Sequence, residues 1–95
     1  MLDSKQRSFL RGLGQELKPV VFIGKSGVTR DVVAQCDDVL EARELIKGRV
    51  LPNSGLTARD ASRVLAEQTE AEVVQVIGRN FILCRTSRKS RLALP

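Results

Sequence analysis

A length of 95 residues with 42% hydrophobic side chains leads us to expect one domain with a single small core. The chain has no histidine, which excludes Ser/His and Cys/His nucleophile pairs and removes the commonest general base and metal ligand. A formal net charge of +5 favours anionic partners, and apolar runs of at most four residues are far short of the ~20 needed to span a bilayer.

Taken in chain order, residues 3–17 read as a first helix. Asp3 stands at a capping position with Gln6 three places on. Phe9, Leu10, Leu13 and Leu17 recur at helical spacing. Gly12 and Gly14 weaken this helix by up to ~1 kcal/mol each relative to alanine, but suit a close approach to a sheet. Pro19 ends the helix. Val20 to Ile23 reads as a buried strand. After Gly24-Lys25-Ser26-Gly27, Thr29 is placed to cap a second helix over about 30–43, with Val32, Val33, Cys36, Val39 and Leu40 on one face.

Residues 44–51 read as a second strand, with Lys47 and Arg49 on the same side. Pro52-Asn53-Ser54-Gly55 is a loop signal. Thr57 to Asp60 opens a third helix whose inner face is expected to hold Ala61, Val64, Leu65 and Gln68. Residues 72–77 and 81–86 read as hairpin strands joined by Gly78-Arg79-Asn80. A loose basic tail is expected from about residue 87. Cys36 and Cys84 lack a C-x-x-C partner and are expected to be buried free thiols. The order α-β-α-β-α-β-β predicts an α/β fold of α+β character. It is a single domain over 1–95, a small four-stranded mixed sheet packed by helices, with parallel crossovers and an antiparallel hairpin.

The loop IGKSGVT, Ile23 to Thr29, carries the functional question. A P-loop needs G-x-x-x-x-G-K-[ST]; Gly24-Lys25-Ser26 supplies the end, but the first glycine would fall on Pro19. A G-x-x-G turn between strand and helix fits a backbone clamp better. Glycines let main chain approach a phosphate, and the helix N-terminus favours an anion. Lys25, Ser26, Thr29 and Arg30 would add charge and hydroxyl donors. The pattern by itself is weak, since a strand-to-helix turn also wants glycine for its own geometry.

Charge adds to the clamp reading. From Val73 onward Arg79, Arg85, Arg88, Lys89 and Arg91 occur without an acidic residue. Arg7, Arg11 and Lys18 fall on or just after the first helix, whereas Asp37, Asp38 and Glu41 gather at the far end of the second. Phe9, Phe22 and Phe81 are the only aromatic residues and all take expected core positions, so base stacking has few platforms. Backbone and shape recognition are expected.

KQRSFLRGLGQELKPVVFIGKSGVTRDVV, ELIKGRV and EVVQVIGRNFILCR together resemble the bacterial YhbY-like proteins of the CRM family (chloroplast RNA splicing and ribosome maturation). The resemblance implies a fold similar to the C-terminal domain of translation initiation factor three. It makes the G-x-x-G loop, here Gly24 to Gly27, the RNA contact. It also implies a ribosome-assembly RNA binder without catalytic activity, acting on ribosomal RNA in large-subunit precursors. A cytoplasmic location is expected from the short apolar runs and the lack of a signal-peptide-like block, and a monomer without a cofactor is expected beside it. Cys84 stands where such proteins commonly have tyrosine, Gly48 where a β-branched residue is usual, and Glu70 where glycine is often seen. A protein adaptor docking on ribosomal or other partners is the second reading, and a nucleotide-binding enzyme the third.

Overall fold

Each helix begins at a side-chain oxygen that takes an otherwise unpaired backbone N–H. Asp3 accepts from Gln6 N at 2.8 Å, and the Gln6 side chain accepts in return from Asp3 N at 3.2 Å. Thr29 Oγ1 accepts from Val32 N at 3.2 Å, and Thr57 Oγ1 from Asp60 N at 3.1 Å. The structure, a computed structural model, describes residues 2–85. Its elements are α1 (Ser4–Gln15), β1 (Pro19–Ile23), α2 (Arg30–Arg43), β2 (Leu45–Val50), a 3-10 turn (Pro52–Ser54), α3 (Ala58–Thr69), β3 (Glu72–Ile77) and β4 (Asn80–Cys84). The expected tail from residue 87 lies outside the described residues.

The four strands form one mixed sheet in the order β1-β2-β4-β3. β1 and β2 are parallel, and β4 is antiparallel to both β2 and β3. The second crossover therefore carries β3 past β2 to the far edge, and β4 returns into the gap. Two cores result. Val21, Ile23, Ile46, Val50, Phe81 and Leu83 pack against Cys36 and Leu40 of α2 and against Ala58, Ala61, Leu65 and Ala66 of α3. On the other face Leu45, Val74, Ile82 and Cys84 pack against Leu10 of α1.

Several core expectations change. α3 turns Ala58, Ala61, Ser62, Leu65, Ala66 and Thr69 inward, while Val64 and Gln68 are exposed. Small side chains bring the helix close. The two buried hydroxyls are satisfied by backbone carbonyls, Ser62 by Arg59 O and Thr69 by Leu65 O. α1 buries Leu10 and Gly14 but leaves Phe9 and Leu13 exposed. Phe22 is 48% exposed, between neighbours that are fully buried. The cause is strand alternation: Val21, Phe22 and Ile23 pair in regular register with Gly48, Arg49 and Val50, so the middle residue faces away from its neighbours, while a bulge between Pro19 and Val21 lets Val20 share the core side. The strand thereby commits Val20, Val21 and Ile23 to the α2/α3 core and turns Phe22 to a face that α1, packed on β2 and β3, does not cover.

Cys36 and Cys84 lie in different cores on opposite sides of the sheet, both buried and free. Burial pushes each thiol up to about 11, so neither is a thiolate near neutral pH. Glu70 ends α3 in the left-handed region at φ 57, the position where glycine is usual. Gly48 marks a close contact: a Cβ there would lie 2.2 Å from Phe81 Cζ. A Cβ on Gly14 would meet Ile82 Cδ1 at 2.5 Å, whereas nothing stands within 4 Å of one on Gly12.

These contacts predict opposite outcomes at two glycines. Gly48→Ala overpacks a buried ring and is expected to cost about 1–3 kcal/mol. Gly12→Ala, in an open helix interior, is expected to gain roughly 0.5–1 kcal/mol. Urea unfolding followed by circular dichroism separates them; equal stabilities would show that Phe81 is not seated on Gly48.

Candidate nucleic-acid interface

Gly24 to Gly27 form a closed turn, in which Gly27 N–H donates to Gly24 O at 3.0 Å and holds Lys25 and Ser26 outward, both exposed. Gly27 has φ 73, so the turn itself requires glycine there. Gly24 is different. It is outside the positive-φ region, and a Cβ would make an ordinary 3.7 Å contact with Leu51 Cδ1. Folding does not demand glycine at 24, which leaves close approach of a ligand to the main chain as a reason for it. Thr29 follows as the cap of α2, and Arg30 opens the helix on the exposed side. Thr29 Oγ1 is already committed to Val32 N. Asp31, also in the first turn, places a carboxylate beside the same helix end.

Strand directions sort the remaining candidates. β1, β2 and β3 all run toward the G-x-x-G end of the sheet, and β4 runs away from it. Leu51 N–H donates to Ile23 O and Val50 N–H to Arg79 O, each at 2.8 Å, so the glycine turn, the 51–56 segment and the β3–β4 hairpin meet at one end. The N-termini of α2 and α3 open there too. Lys25, Arg30 and Arg79 share this end, and their side chains form no ion pair among the described residues.

Arg7, Lys18 and Arg85 belong toward the opposite end. Arg7 donates to Val73 O and pairs with Glu72 at 3.7 Å. Arg85 is more deeply engaged. Its guanidinium reaches Asp37 Oδ1 at 2.5 Å, Thr69 O at 2.8 Å, Asp37 O at 3.0 Å and Glu41 Oε2 at 3.2 Å. It is a tie between α2, the end of α3 and β4, not a free cation. Arg11 is exposed on α1, and Arg88 and Lys89 lie outside the described residues. Arg49 and Arg59 were not among the expected site residues. Arg49 is exposed at the G-x-x-G end of β2, and Arg59 in the first turn of α3. Alternation along β2, which puts Arg49 on the same side as Lys47, was the signal for Arg49; the sequence holds none for Arg59.

Among the described residues no group of three or more His, Cys, Asp or Glu could hold a metal, and no helix is long and apolar enough to cross a membrane. The site is thus a set of cations and backbone donors around a closed glycine turn on a mixed sheet, an arrangement of the nucleic-acid-binding class. Residues 2–85 match the CRS1 / YhbY (CRM) domain, and the chain belongs to that family. It is 36% identical over 91 residues to the Bacillus subtilis protein YqeI, named as a probable RNA-binding protein, covering 96% of this chain and 95% of that one. It is 36% identical over 94 residues to an RNA-binding protein of Haemophilus influenzae, with 99% and 95% covered. The solution structure of a Staphylococcus aureus protein described as a candidate RNA binder superposes with a TM-score of 0.75 at 39% identity, over 100% of both chains.

Arg85→Ala is expected to destabilise the fold by about 1–3 kcal/mol, because carboxylate and carbonyl partners are left without their donor. Any RNA affinity measured well below the lowered Tm should keep its salt dependence. A flatter salt dependence with unchanged stability would instead make Arg85 a phosphate contact.

Proposed function

We propose that this protein is a non-catalytic RNA-binding factor that grips the RNA backbone at Gly24 to Gly27 and works in assembly of the large ribosomal subunit. The observation that carries the clamp is Gly24, a glycine the fold does not need, in a turn that projects Lys25 and Ser26 at a helix N-terminus. Backbone N–H groups and Lys25 would take a phosphate, Arg30 and Arg79 would extend the contact, and Arg11 and Lys18 lie further along the surface. Membership of the CRM family and the RNA-binding names of its relatives support the partner class. Ribosomal RNA as ligand, a cytoplasmic location and a monomeric state complete the reading.

Two measurements test it. Binding through about five phosphates gives a log–log salt slope near −3.5, at −0.7 per contact on single strands. Lys25→Ala is expected to weaken binding to unrelated RNAs by a similar factor and to flatten that slope by about 0.7–0.9. Unchanged affinity and slope would remove Lys25 from the contact. In cell lysate on a sucrose gradient the protein should sediment with large-subunit precursors and return to the top after RNase treatment. Sedimentation at the top in both samples would refute stable ribosomal association.

A further inference from the structure

The face of the sheet that α1 leaves open carries a row of side chains across all four strands. Phe22 lies beside Arg49, Arg49 opposite Asn80, and Asn80 opposite Ile77. The next row toward α1 holds Lys47, Ile82 and Gln75. Phe22 is 48% exposed and Ile77 50%. The Arg49 side chain makes no hydrogen bond or ion pair among the described residues, and Lys47 Nζ reaches only Gln15 O, at 3.1 Å. The two rows contain two cations and no carboxylate.

Between these rows is a cavity of about 230 Å³, lined by Gln15, Lys47, Gln75, Ile77, Asn80 and Ile82. Two of the lining residues, Gln75 and Asn80, each have a side-chain oxygen, Oε1 and Oδ1, that is buried and accepts no hydrogen bond. Buried acceptors are rarely left unmet, because each has lost its water without a replacement. The cavity is smaller than the roughly 300–1,000 Å³ of sites for drug-sized ligands and suits one planar nucleobase.

We propose that this face holds two neighbouring unstacked bases of single-stranded RNA. One stacks on Phe22 beside Arg49. The other enters the cavity and, with the two side-chain amides turned toward it, donates hydrogen bonds to Gln75 Oε1 and Asn80 Oδ1. Two acceptors lining one cavity favour guanine, whose Watson–Crick edge offers a ring N–H next to an amino group, over uracil, which offers one N–H. The site rests on the RNA-binding reading and adds base recognition to it. It is also continuous with the clamp: Arg49 is two residues before Leu51, whose N–H is bonded to Ile23 at the foot of the glycine turn. A second copy of this chain suits the face poorly, since a two-fold contact would set two cations and no carboxylate against the same set.

The test is fluorescence anisotropy of the full chain with ten-nucleotide RNAs, guanine-containing or all-uridine, at several salt concentrations. Wild type should prefer the guanine-containing strand. Phe22→Ala should weaken binding roughly 5- to 150-fold with the salt slope unchanged, as expected for a lost stack and no lost phosphate. Gln75→Leu should abolish the guanine preference while Tm holds or rises, because an unmet acceptor has been removed. If Lys25→Ala impairs binding but Phe22→Ala and Gln75→Leu bind as wild type, the base platform is wrong and the clamp stands. Absence of RNA binding by wild type would sink both. A dimer in sedimentation equilibrium that Phe22→Ala dissolves would reassign the face to self-association.

Discussion

The Phe81 ring lies over Gly48 at the middle of the sheet, and much of the remaining geometry follows from that contact. The two residues are directly paired across β2 and β4. Any Cβ at 48 would sit within 3 Å of three ring atoms. The pairing therefore has little freedom to slip: a shift of one residue would put Lys47 or Arg49 under the ring and turn every β4 side chain to the wrong face. With the register held, Phe81 and Leu83 close the α2/α3 core while Ile82 and Cys84 face α1. Gly14 repeats the device on the other side, letting α1 settle onto Ile82. Two missing methyl groups thus set the spacing of both layers.

The same topology separates charge along the strand axis. α2 and α3 both point their N-termini, and so the positive ends of their dipoles, at the G-x-x-G end. Their C-terminal halves converge on Arg85, which accommodates the Thr69 carbonyl together with Asp37 and Glu41. A cation at a helix C-terminus is favourable, and here it also fastens β4 to both helices. One arginine therefore offsets the acidic end of α2. The cations at the other end, Lys25, Arg30 and Arg79, have no such partner among the described residues.

Most of the element order was legible because the local signals agree. Asp3, Thr29 and Thr57 each cap the helix they precede, and Pro19 and Pro52 stand where helix or strand gives way. The glycine turn was legible as a turn, though only the contacts at Gly24 distinguish folding need from spare room. Three features escaped. Phe22 sits in a run of four apolar residues, which carries no period, so the sequence does not show which of the four the strand's alternation turns outward. Val64 and Gln68 keep helical spacing, but the smaller Ala58, Ser62 and Ala66 allow closer packing and define the inner stripe instead. Arg85 lies in a basic stretch of sequence yet ends within reach of carboxylates 48 and 44 positions away. Strand order is set by where β4 inserts, which no local pattern encodes.

Asp31 bears on how the proposed clamp and platform divide the work. Its carboxylate already supplies negative charge at the first turn of α2, and Thr29 has taken the Val32 N–H. An incoming phosphate would meet a helix end partly satisfied by its own side chains, so the larger share of attraction falls to the turn and to Lys25. Contacts of that kind position a nucleic acid and carry no sequence information. The open sheet face has the complementary character, with an exposed aromatic, apolar Ile77 and two unmet amide acceptors in a setting free of carboxylates. A strand held by its backbone at the turn could extend its bases over Phe22 without bending back. Retention would then be salt-sensitive at one place, while discrimination would be nearly salt-independent at the other.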